Sequence, residues 1–132
     1  MMTSLHLLPK SRRLHFIVLA AMCVAILCER AHTFHEPLDR DITTYAIIGH
    51  ELLNGRRIYS DVWDHKPPGI HVSFAAAELL AGYGDGAVYL LGTVLAIATL
   101  GSIYWASGLW GAALWTAICS DMMLQANQPN TE

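Results

Sequence analysis

Residues 86–120 form a stretch of 35 residues without one charged side chain, bounded by Asp85 and Asp121. A continuous helix of that length would measure roughly 50 Å at about 1.5 Å per residue, well beyond a hydrocarbon core about 30 Å thick. Two crossings fit the run better than one. The break is expected at Ser107-Gly108, giving spans over residues 87–106 and 109–123. Tyr89, Tyr104, Trp105, Trp110 and Trp115 supply candidates for interfacial anchoring, and Tyr104, Trp105 and Trp110 bracket the proposed turn.

A second apolar run lies near the N-terminus. Residues 14–28 are uncharged, preceded by Lys10, Arg12 and Arg13 and followed by Glu29 and Arg30. Fifteen residues are short for a span, but snorkelling of Arg13 and local bilayer thinning close the gap. The competing reading is a cleaved signal peptide. No small-x-small cleavage site follows, and Leu27 before Cys28 does not suit a lipoprotein site, so an uncleaved anchor over residues 14–30 is preferred. The basic cluster then holds residues 1–13 in the cytoplasm and sends residues 31–86 to the outer face. Overall composition agrees: 54% of the 132 residues are hydrophobic and only 14% charged, against about one quarter in soluble domains. The expected class is an all-α, multi-pass integral membrane protein with about three transmembrane helices and a large outer loop containing juxtamembrane helices. Residues 124–132 would open a second outer loop.

Within the first outer loop, Asp39 or Asp41 can cap a helix on which Tyr45, Ile48 and Leu52 recur with helical spacing, and Asn54-Gly55 signals its end. Residues 56–66 read as irregular, and Pro67-Pro68 favours extended backbone before a further helix opens near Gly69. Residues 69–81 are apolar but short and carry His71 and Glu78, so they are read as a juxtamembrane helix on the outer surface. If they span instead, the C-terminal tail moves to the cytoplasm. Gly82-Tyr83-Gly84-Asp85-Gly86 lacks the Lys-Ser/Thr of a phosphate loop and reads as a flexible link.

Cys23, Cys28 and Cys119 fall in or beside the spans, where a thiol behaves as a small hydrophobe. His32 and His35 stand three apart, and His50, His65 and His71 share the loop, so a divalent metal is conceivable, with His65 as the best single ligand; the other histidines are read as surface or interfacial. A net charge of -3, with the N-terminal basic residues suited to membrane orientation, gives no reason to expect nucleic-acid binding.

Several strings in the loop carry a resemblance. Leu38-Asp39-Arg40-Asp41, Tyr45-Ala46, Leu53-Asn54-Gly55 and then Tyr59-Ser60-Asp61-Val62-Trp63-Asp64-His65-Lys66-Pro67-Pro68-Gly69 resemble the first periplasmic loop of the GT-C glycosyltransferases. The nearest resemblance is to the bacterial branch related to protein O-mannosyltransferases and to the lipid A aminoarabinose transferase. It implies transfer of a sugar, with inversion, from a polyprenyl-phosphate donor to a hydroxyl of a lipid, glycan or protein acceptor at the outer face of the cytoplasmic membrane. By this resemblance Asp41 is the catalytic acid of the first loop, acting as general base or as metal ligand where a metal is used. Lys66 meets the donor's lipid phosphate, and Glu132 is a candidate second acid where the next outer loop begins. Arg56 and Arg57 can assist Lys66 because a leaving phosphate needs cationic donors. Ile42 stands where many relatives carry Glu, which removes a partner carboxylate. Family members have roughly three times as many spans, so the chain is expected to be an N-terminal fragment of a longer enzyme. Two other classes remain open: a small non-catalytic membrane subunit or remnant packing through Gly92, Ala96, Gly101, Gly108, Gly111 and Ala112, and a metal-binding membrane protein using the loop histidines.

Overall fold

A computed structural model describes residues 10–120, and every described element is helical. Helix α1 covers Lys10–His32 and runs into a single 3₁₀ turn, Thr33–His35. Helices α2 (Arg40–Leu53), α3 (Pro68–Ala81) and α4 (Asp85–Cys119) follow. Two helical stretches, Arg12–His35 and Asp85–Cys119, are long and apolar enough to cross a membrane. The helix α1 is longer than the uncharged run 14–28 because Glu29 and Arg30 do not end it. Arg30 is instead buried, and Thr33 is fully buried with its hydroxyl donating to the Glu29 carbonyl at 3.1 Å. At 23 residues, about 35 Å, α1 is long enough to cross a hydrocarbon core about 30 Å thick.

Helix α4 is interrupted where expected. Gly108 has φ 74° and ψ -162°, outside helical geometry and in a region that side chains avoid. Trp105 and Trp110, on either side of it, are 89% and 90% exposed. The chain doubles back there: the Trp115 indole N–H donates to the Ala96 carbonyl at 3.0 Å, across 19 residues. A straight helix would hold those residues about 28 Å apart. The limb after Gly108 is described for residues 109–119, roughly 16 Å of helix. The rest of the expected crossing 109–123 passes beyond Ser120, outside the described residues.

Helix α1 packs antiparallel to the first limb of α4. His15 Nδ1 lies 2.9 Å from the Tyr104 hydroxyl at one end, and Phe34 stacks on Tyr89 at the other, with centroids 4.7 Å apart. The Tyr89 hydroxyl donates to the Thr33 carbonyl beside that stack. Ile26, Ala96, Leu100, Ala112 and Cys119 form the buried seam of α1 and both limbs. Replacing Trp115 with Phe keeps most of the ring and removes its donor. We expect a loss of about 1 kcal/mol, read as a lower midpoint of thermal unfolding in detergent.

The other core belongs to the segment between the long helices. Ile42 and Tyr45 of α2, Phe74 and Ala77 of α3, and Ala87, Val88 and Leu91 of α4 bury one another. This core seats the α2–α3 pair on the start of α4.

Candidate functional site

The α2–α3 crossing begins with a glycine. A Cβ on Gly49 would lie 2.9 Å from the Ala75 nitrogen, 3.0 Å from the His71 carbonyl oxygen and 3.0 Å from Phe74 Cβ, so the backbones touch where α2 has no side chain. Around that contact sit two acid–histidine pairs. Nearer the start of both helices, fully buried His71 places Nε2 3.2 Å from Oδ2 of Asp64, whose side chain is 8% exposed. The Tyr45 ring meets the His71 ring edge-on at 5.6 Å. Further along, His50 Nδ1 lies 2.6 Å from Glu78 Oε1, and Tyr83 covers the His50 ring at 4.3 Å.

The first pair is the unusual one. Asp64 Oδ2 and the Tyr45 hydroxyl are buried without a hydrogen-bond partner among the described residues, and the His71 ring is closed in by the Asp64 carboxylate on one side and the Tyr45 backbone on another. Burial pushes the His71 pKa below 6.5, while the Asp64 carboxylate and the Tyr45 backbone pull it the other way. The sign of the linkage follows. An unfolded chain takes up the His71 proton near pH 6.5, and the folded chain resists doing so. Stability from this group is therefore whole above pH 6.5 and declines as pH falls through that value. We expect urea unfolding midpoints to drop as pH falls below 6.5, and this component of the drop to vanish in His71→Gln.

The histidine expected at the surface is thus an interior residue. His71, Phe74, Ala75 and Glu78 follow helical spacing, so the register of α3 was the signal that places His71 on the inner face. Asp64 escaped notice as a buried acid because it precedes the helix. Its Oδ1 also accepts from the His65 amide at 2.7 Å.

The stretch 56–66 is less irregular than expected. The Arg57 amide donates to Asp61 Oδ2 at 2.8 Å, and Ile58 bridges Val62. That amide and the Ser60 hydroxyl hold the Asp61 carboxyl below its usual pKa. Tyr59 takes a positive φ of 69°, and its hydroxyl donates to the Lys66 carbonyl at 2.8 Å. Asp61 shapes this turn by accepting from the Arg57 amide and the Ser60 hydroxyl.

The candidate catalytic groups are distributed as follows. Asp39 occupies the N-cap position of α2 without a side-chain capping bond. Asp41 stands in the first turn, its side chain 33% exposed, with Arg40 Nε 3.6 Å from Oδ1. Arg56 and Arg57 lie past the opposite end of this 14-residue helix, about 20 Å along its axis from Asp41. Arg56 is taken up by Glu51 at 2.7 Å. Lys66 is half-buried just before α3. The structure therefore does not gather Asp41 with the two arginines. Glu132 lies outside the described residues. His65 is 71% exposed at its side chain, 3.1 Å from Asp64 Oδ1, and among the described residues no three His, Cys, Asp or Glu side chains converge to hold a metal.

A cavity of about 210 Å³ opens between α2, α3 and the start of α4. Leu38, Ile47, Phe74 and Val88 give it apolar walls, and Glu78 and Asp85 give it carboxylates, but none of the candidates Asp41, Lys66, Arg56 or Arg57 lines it. Comparison with known proteins found no family model, no curated protein and no solved structure that matches the chain.

Proposed function

We propose that the chain is the N-terminal part of a membrane glycosyltransferase of the GT-C type. It moves a sugar from a polyprenyl-phosphate donor to an acceptor hydroxyl at the outer face of the cytoplasmic membrane. The observation that carries this reading is the loop string from Trp63 to Gly69, set between two membrane-length helices and preceded by Asp41 in the first turn of α2. In this reading α1 crosses outward, the first limb of α4 crosses inward, and residues 109–123 cross outward again.

The chemistry asks little of the protein beyond a base and a cation. Asp41 accepts the proton of the acceptor hydroxyl as its oxygen bonds to the anomeric carbon. The bond from that carbon to the donor phosphate breaks, and the polyprenyl phosphate leaves with the electron pair, which gives inversion. A carboxylate placed in the first turn of α2 can take that proton as a general base. Lys66 offers its ammonium to the leaving phosphate. The test is transfer of labelled sugar from a polyprenyl-phosphate sugar to a hydroxyl acceptor by liposomes carrying the protein. Transfer that depends on both Asp41 and Lys66 supports the reading.

The distance between Asp41 and the Arg56–Arg57 pair favours a second reading, a non-catalytic membrane subunit. That protein would bind no donor, and Asp41→Asn would leave its behaviour unchanged.

A further inference from the structure

Helix α3 is built inside out. Its polar side chains are His71, Ser73 and Glu78, and none of them asks for water. His71 is fully buried, Glu78 is 13% exposed and paired with His50, and the Ser73 hydroxyl donates to the Gly69 carbonyl of its own helix at 2.9 Å. The outward face is Val72, Ala76, Leu79 and Leu80, with Tyr83 just beyond the helix. Val72 is 56% exposed, Leu79 72% and Leu80 82%. A helix facing water shows the reverse distribution, with charge outward and the apolar stripe inward.

We infer that this outward face of α3 is immersed in the outer leaflet of the lipid bilayer, with Val72, Leu79 and Leu80 among the acyl chains and Tyr83 at headgroup level. The inference rests on the membrane reading of α1 and α4 and adds which face of the loop meets lipid. Continuity selects lipid over a protein partner. Only Gly82, Tyr83 and Gly84 separate α3 from α4, so Leu79 and Leu80 lie within about 20 Å of chain from the point where the uncharged run begins. A helix tethered so closely to a span is held at the interface, where an apolar face buries about 5–10 Å deep. No charge on that face opposes immersion.

The experiment is spin labelling in liposomes of neutral phospholipid. Cys23, Cys28 and Cys119 are replaced by Ala, and single cysteines are introduced as Leu79→Cys, Leu80→Cys, Val94→Cys and Ala77→Cys. Accessibility to oxygen, which concentrates in lipid, is compared with accessibility to a water-soluble nickel chelate. Labels at 79 and 80 are expected to collide with oxygen several-fold more than with nickel, as the label at exposed Val94 of α4 does, while the label at buried Ala77 meets neither well. Nickel-rich collisions at 79 and 80 beside a lipid-like Val94 label would place the face in water and overturn the inference alone. Low collision with both reagents would show a protein covering the face, a second copy or another partner, and overturn it too. Nickel-rich collisions at Val94 as well would sink the membrane reading itself. Positions 79 and 80 are exposed, so their substitution leaves the fold intact.

Discussion

Asp41→Asn is expected to lower sugar transfer by roughly 10²–10⁴-fold, the range by which a positioned general base accelerates a reaction, with little change in thermal stability. The separation of the two effects follows from where the residue sits. Asparagine is as good as aspartate in the first turn of a helix for shape, and the carboxylate's interaction with the α2 amide dipoles and with exposed Arg40 is worth only a few tenths of a kcal/mol to about 1 kcal/mol at a solvated position. Base strength, in contrast, is removed outright. The check is initial rate with saturating donor and acceptor beside an unfolding curve on the same preparation. A full rate in Asp41→Asn would reject the catalytic role and leave the subunit reading standing.

The second large effect is at Gly49. Gly49→Leu should weaken the α2–α3 pair by about 1–3 kcal/mol or more, because even the first carbon of the side chain meets the Ala75 nitrogen, the His71 carbonyl and Phe74 Cβ at 3.0 Å or less. Two of those neighbours are backbone and cannot rotate away. Leucine would gain close to 1 kcal/mol of helix propensity over glycine, which is too little to compensate. The same wedge would separate Tyr45 from His71 and open the interior to water, so the pH dependence assigned to His71 should flatten together with the loss of stability. Helix-sensitive circular dichroism through a thermal scan at two pH values measures both. An unchanged midpoint would mean that the helices do not cross at Gly49.

How far the sequence could be read depended on whether a feature was local. The break at Gly108 was legible because an uncharged run too long for one crossing must turn, and Ser107-Gly108 sits near its middle. Helix α2 was legible from its flanking Asp39 and Asn54-Gly55 and from Tyr45 and Ile48, both buried. Helix α1 extends at both ends beyond the anchor read over residues 14–30. Arg30 is buried where α1 passes the second limb of α4, a contact between residues that nothing in the local sequence brings together. Gly49 was invisible for the same reason, since a mid-helix glycine announces a close approach only when the partner is known. The Asp64–His71 pair joins a turn to the helix after it. The helical register carried half of that information, and the fold of the turn carried the rest. The proposed chemistry stands on the string around Lys66 and on Asp41, and here the fold adds a constraint: the two arginines at the far end of α2 are too distant from Asp41 to share a phosphate that it serves.

The hydroxyl of Tyr89 on the carbonyl of Thr33, beneath the Phe34 ring, joins residues 56 positions apart. It makes a neck at which the whole excursion between the two long helices is tied off. Closing a flexible loop of that length costs on the order of 3–4 kcal/mol in chain entropy, and here the closure is supplied by the packed helices below and owes nothing to the excursion itself. The excursion is thereby modular. Changes of length in the turn between α2 and α3 therefore need not disturb the contact that closes the neck.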